Sequence, residues 1–228
     1  MLLTNNVILA GLTAAGKTTH GHMLAGQYGL RYISSSQILL SLLGQSLVQQ
    51  RHFWVTEAAK QLWTKDHNIE VDKEITALEQ RADWAVFDAP GLPWMHRRNA
   101  FTIWLESSLK SRVMKAYISH RSSSDINTSD IQALIGEKDH ALASHFLNSY
   151  GFDLLTDRSP FDLVIDISEC IASPTIQDSW KSIADVHSVI SPAVGWYFTQ
   201  AQEYRSQFHD ACIDKPLVRI LHCNENLR

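Results

Sequence analysis

The chain predicts an α/β fold, a mainly parallel sheet covered by helices on both faces, and three observations predict it. Short apolar runs rich in β-branched residues alternate with longer stretches whose apolar residues recur at three- and four-residue spacing. Parallel strands need crossover connections, and helices in those crossovers cover the sheet. A glycine-rich loop follows the first apolar run directly, and sheets of this class bind ligands beyond the carboxyl ends of their strands. The third observation is size: 228 residues, at roughly 150 per domain, fit one compact domain with an inserted lobe better than two folds. With 45% hydrophobic and 19% charged residues the chain can bury a core without a metal or a disulfide framework. The net charge of −4, with no long run of either sign, speaks against a nucleic-acid partner or an anionic membrane surface.

The elements follow in order. Residues 6–10 (NVILA) read as a buried strand, 11–17 as a loop, and 18–28 as a helix stopped by Gly29. Residues 31–34 (RYIS) form a second short strand, and 37–43, 53–66 and 72–81 read as helices. Residues 84–88 (WAVFD) are a strand ending in an acid, and 100–105 (AFTIWL) another strand, followed by a helix to about residue 117. The polar stretch 122–130 (SSSDINTSD) precedes a long helix over 131–150, stopped by Gly151. Residues 163–167 (LVIDI) are the last central strand, and 180–208 read as mostly helical with an interruption at Pro192.

Gly11, Leu12, Thr13, Ala14, Ala15, Gly16, Lys17 and Thr18 satisfy G-x-x-x-x-G-K-[ST] in full, between a strand and a helix. That context turns the motif into chemistry. The loop's backbone N–H groups converge on phosphate oxygens, and the helix presents its positive end to the same anion. Lys17 adds a point charge for the β- and γ-phosphates, Thr18 offers its hydroxyl to Mg²⁺, and Thr19 lies in the first helical turn beside the nucleotide. The reading is therefore a site for a nucleoside triphosphate with Mg²⁺. Asp88 ends its strand where such proteins hold an acid near the metal, so Thr18 and Asp88 are the expected metal-side pair. Residues 88–91 (DAPG) also spell D-x-x-G, which admits a GTPase-like switch or a nucleotide-binding regulator, although no Asn-Lys-x-Asp guanine-reading motif occurs in the chain.

Three cysteines, Cys170, Cys212 and Cys223, at no repeating spacing read as reduced thiols. With no apolar run near 18 residues, the expectation is a cytoplasmic protein that enters no membrane.

Four blocks resemble the nucleoside monophosphate kinases, cytidylate kinases most closely. They are the phosphate loop with 22–30 (HMLAGQYGL) and 32–40 (YISSSQILL), residues 84–93, residues 102–112 (TIWLESSLKSR), and the run from Glu137-Lys138-Asp139 through 150–153 (YGFD) to 161–168 (FDLVIDIS). The resemblance implies a three-layer αβα P-loop kinase fold with a five-stranded parallel sheet, a helical acceptor-binding lobe over 35–81 and a mobile lid over 118–145. The core would be 1–34, 82–117 and 146–228. It implies ATP-dependent transfer to a nucleoside monophosphate, with a CMP-like pyrimidine favoured, and a monomer or homodimer. Lys17, Asp88, Arg112, Arg121 and Lys138 would be the catalytic set, with Asp88 orienting metal-bound water or accepting the acceptor's proton. Ser36, Arg51, Trp54, Arg97 and Arg98 would face the acceptor.

One departure bears on the substrate. Leu40 stands where that family keeps an Arg to clamp the acceptor's phosphate, and a lysine or histidine elsewhere does not replace the planar guanidinium fork. Either Arg51, Arg97 or Arg98 supplies the cation, or the acceptor is an unphosphorylated alcohol or nucleoside.

Overall fold

In the computed structural model, residues 6–44, 65–96, 99–120 and 127–225 are described. Strands β1 (Asn6–Ala10), β2 (Arg31–Ser34), β3 (Ala85–Asp88), β4 (Ala100–Glu106), β5 (Leu163–Asp166) and β6 (Arg219–Cys223) form one six-stranded sheet in the order β2-β3-β1-β4-β5-β6. The first five pair in parallel and β6 runs antiparallel on the β5 edge. Helices α1 (Lys17–Tyr28), α2 (Ser35–Leu42), α3 (Lys65–Arg81), α4 (Leu92–Met95), α5 (Leu109–His120), α6 (Thr128–Tyr150), α7 (Ile176–Thr199) and α8 (Gln202–Asp214) complete a three-layer α/β fold.

Strand alternation builds the layers, because successive side chains point to opposite faces. Val7 and Leu9 of β1, with Phe101 and Ile103 of β4, pack against Leu24 of α1 and Val186, Val189 and Ile190 of α7. Ile8 and Phe87 face the other way, onto Ile75 of α3 and Leu92 of α4. Farther along the same face, Ala10 and Trp104 meet Phe146 of α6 and Leu154.

The expected five strands are present, with four differences beyond them. The sheet has a sixth strand, β6, whose five largely exposed residues carry no alternating pattern to mark it. The expected helix break at Pro192 is absent: α7 runs through it, burying Val189, Ile190, Ala193 and Val194. That burial outweighs the roughly 3 kcal/mol an interior proline costs. The chain turns instead at Gln200, which is left-handed at φ 55°, and α8 returns so closely that a Cβ on Gly195 would lie 2.5 Å from the Tyr204 ring. Residues 65–81 are one helix, not the end of one and the start of another at residue 72, because Val71 and Ile75 are buried on one continuous face. Finally, α6 begins at Thr128, where Asn127 accepts the Asp130 N–H, instead of at residue 131.

Candidate active site

The phosphate loop lies at the carboxyl end of β1 and opens α1. Gly11 has φ 148°, and a Cβ there would lie 2.8 Å from the Leu105 carbonyl oxygen, so only glycine fits between β1 and β4. Lys17 folds back over the loop, its Nζ donating to the carbonyl oxygens of Gly11 (2.8 Å) and Leu12 (3.0 Å). Burial lowers the Lys17 ammonium pKa against the pull of Asp88 and Asp139.

Parallel pairing of β1 with β3 sets Leu9 beside Asp88 and so carries the acid to the loop. The Thr18 hydroxyl donates to Asp88 Oδ2 at 2.7 Å, and the Tyr32 hydroxyl donates to the same oxygen at 2.8 Å. Ser35 Oγ donates to the Asp88 carbonyl at 3.2 Å, fixing the strand end from α2. Burial first, then the Asp88 charge, raises the Tyr32 phenol pKa, so Tyr32 serves as a donor. A hydroxyl and a carboxylate in contact are hard oxygen ligands, which suits Mg²⁺ completed by phosphate oxygens and water. Among the described residues no cluster of three or more His, Cys, Asp or Glu side chains is arranged to hold a metal.

The third wall comes from α5 and α6. Arg112 is buried, its Nε donating to Ser107 O (3.1 Å) and its Nη1 to Thr13 O (3.0 Å) and Asp139 Oδ2 (2.5 Å). Asp139 Oδ1 accepts the Thr13 N–H at 3.0 Å, so one carboxylate joins the loop backbone to the guanidinium. Lys138 lines the same cleft; burial, with Lys17 close by, lowers its pKa to about 8. Lys115 of α5, also lowered to about 8 by burial, donates to Ser107 Oγ at 3.1 Å. Farther along α6, His145 Nε2 lies 2.6 Å from Asp72 Oδ2 of α3, and both are buried.

These walls enclose a cleft of about 1280 Å³. Gly11 and Thr13 to Thr19, Ser36, Asp88 and Lys138 line it, and Arg112 stands behind its wall, whereas Leu12 turns to pack against the Trp104 cluster. Arg51, Trp54, Arg97, Arg98 and Arg121 lie outside the described residues. Leu40 is fully buried in the core and does not face the cleft. Arg158 pairs with Glu106 at 2.8 Å and covers the Trp104 ring at 3.9 Å. Tyr32, Lys115, Asp72 and Asp139 escaped the sequence reading. Tyr32 and Asp139 had a signal, since each lies in a block already singled out, whereas Lys115 and Asp72 had none.

No family profile matches the chain, and no curated protein sequence matches it. Similar solved structures include shikimate kinase from Acinetobacter baumannii in complex with shikimate, 14% identical over 83% of this chain and 94% of that one, at a TM-score of 0.45. Shikimate kinase from Bacteroides thetaiotaomicron is 12% identical over 81% and 97%, at 0.46. A gluconokinase from Sinorhizobium meliloti 1021 is 11% identical over 80% and 93%, at 0.42. At such scores these likenesses decide nothing about activity, and the expectation of cytidylate specificity rests on the motifs alone. Among the described residues no helix is long and apolar enough to cross a membrane, and the three cysteines form no disulfide.

Proposed function

We propose that the chain is an ATP-dependent phosphotransferase that moves the γ-phosphate of ATP to a small-molecule acceptor. The observation that carries this reading is the Thr18–Asp88 contact of 2.7 Å at the mouth of a complete phosphate loop. Phosphoryl transfer asks little covalent chemistry of a protein, so positioning and charge neutralisation carry the rate. Residues Gly11 to Thr19 cradle the triphosphate, and Lys17 exchanges its two carbonyl partners for phosphate oxygens. Thr18 and Asp88 would hold Mg²⁺, which supplies charge neutralisation at the β- and γ-oxygens. Arg112 stiffens the loop from behind, Lys138 and, by resemblance, Arg121 neutralise the transferred group, and Asp88 takes up the acceptor's proton or orients water.

For the acceptor, the described wall favours an unphosphorylated alcohol or nucleoside. Ser36, Asn68, Val71, Ile75 and Leu142 offer hydroxyl, amide and apolar carbon, a lining that suits a neutral hydroxylated acceptor, and the Asp72 carboxylate among them is taken up by His145. The burial of Leu40 favours the same reading, since that position cannot reach a ligand. A pyrimidine monophosphate, CMP first, is the second reading, favoured by the order of the four motif blocks and requiring a cation from Arg51, Arg97 or Arg98.

A coupled ADP-release screen decides between them, using CMP, dCMP, UMP, dTMP, AMP, the matching nucleosides and simple polyols. ADP release dependent on an unphosphorylated acceptor is expected. Activity with monophosphates alone would overturn the acceptor assignment, and GTP hydrolysis indifferent to any acceptor would overturn the kinase.

A further inference from the structure

The cleft extends in two directions from the phosphate loop, and only one of them is taken by the chemistry above. Asp88 ends β3 and contacts Thr18, so the metal and the transferable phosphate belong on the β3 side. A triphosphate threaded through the loop must send its other end toward the β4 and β5 side. There the cleft continues between α5 and α7, walled by Ile167, Ile171, Ile176 and Ile183 with Ser119 and Ser179 at hand. Trp180 also lines this chamber.

Trp180 is 68% exposed, the most exposed aromatic side chain among the described residues. The other described tryptophans have uses within the fold. Trp94 stacks on Phe152 at 4.5 Å, Trp104 is buried under Arg158, Trp84 meets Phe198 and Trp196 meets Arg205. Trp180 has no ring or cation partner among the described residues. Its backbone is nevertheless held: Thr175 Oγ1 accepts the Asp178 N–H at 3.1 Å, and Ser173 Oγ donates to Asp178 Oδ2 at 2.5 Å, fixing the first turn of α7. An indole left in water on a rigid turn, in the wall of an apolar chamber, offers a stacking face for a planar ring.

We propose that Trp180 is the platform on which the base of the donor nucleotide stacks, with the isoleucine-walled chamber between α5 and α7 as the base site. This rests on the donor reading above and names the residue that distinguishes a nucleoside triphosphate from bare triphosphate. Stacking on an aromatic side chain strengthens binding on the order of tenfold or more.

The experiment titrates the full chain with Mg-ATP and, separately, with magnesium tripolyphosphate, which has no base. Calorimetry and tryptophan fluorescence are the readouts. Wild type is expected to bind both, ATP more tightly, with fluorescence quenched by ATP alone. Trp180→Ala is expected to lose about tenfold in ATP affinity and most of the quench while keeping its tripolyphosphate affinity, and Trp180→Phe to stay within about threefold of wild type. Unchanged tripolyphosphate binding also reports that the variant is folded. If wild type binds both ligands and Trp180→Ala changes neither, the base site is wrong and the donor reading stands. If wild type binds neither, the donor reading fails and takes the base site with it.

Discussion

The phosphate loop is held from two directions, and the two holds differ in kind. Along the chain, Gly11 to Thr18 forms a cradle from neighbouring residues, with Lys17 reaching carbonyls five and six positions away. Across the chain, Arg112 and Asp139 grip the Thr13 peptide from 99 and 126 positions away. On the proposed reading the local cradle recognises an anion, as it would on any strand–helix scaffold. The distant grip acts on the loop's own backbone through the Asp139 carboxylate and the Arg112 guanidinium. It seats α6 against the loop, which brings Lys138 into the cleft near Lys17 and His145 toward α3. Binding is thus written locally, while the geometry that makes binding productive depends on tertiary packing.

The largest effect expected from breaking this contrast lies in the cradle. Lys17→Ala removes the charge that the proposed function sets nearest the β- and γ-phosphates. A loss of about 10³-fold in kcat/KM for ATP is expected, measured by ADP release, with little change in thermal stability. Retention of even a third of wild-type turnover would show that the loop is not the donor site.

Next comes the distant grip, where the signature is in stability. Asp139→Ala strands the buried Arg112 guanidinium and leaves the Thr13 N–H without its acceptor. Removing one partner of a buried ion pair costs about 3–5 kcal/mol, read from urea unfolding. Asp139→Asn keeps an acceptor for Thr13 and should cost less. A loss below about 1 kcal/mol for Asp139→Ala would mean that α6 is seated by its apolar contacts alone, through Ile135, Leu142 and Phe146.

The same contrast explains what the sequence could and could not reveal. β1, β2 and α1 with its Gly29 stop were legible because apolar runs and glycines act over a few residues. So was the Thr18–Asp88 pairing, since both positions are defined by a strand end and a loop. The Arg112–Asp139–Thr13 cluster was not, because which faces of two helices meet is set by packing and not by spacing along either one. Arg112, placed in the catalytic set by resemblance, meets the Thr13 carbonyl and the Asp139 carboxylate across the fold. Pro192 misled because a local penalty was weighed without the burial of its neighbours, and Leu40 informed because its burial closes a route to phosphate recognition.

The smallest expected effect is also the most discriminating, because it titrates the distant wall without dismantling it. Burial, with Lys17 nearby, lowers the Lys138 pKa to about 8, from an ordinary value of 10.5. The folded chain therefore binds fewer protons than the unfolded chain between those values. The cost of burying the ammonium is present in full below the lower value and is relieved as pH rises through the window, so stability contributed by this site increases with pH. Activity should move the opposite way. A charged Lys138 is needed to meet the incoming phosphates, so kcat/KM for ATP should fall about tenfold between pH 7 and pH 9, with its midpoint at the free enzyme's value. Lys138→Arg stays protonated across that range and should flatten the profile. Lys115 is lowered to about 8 as well and lines the same cleft, so Lys115→Arg is the matched comparison. A limb that survives in Lys138→Arg and vanishes in Lys115→Arg would move the second cation from α6 to α5, and with it the reason for gripping α6 against the loop.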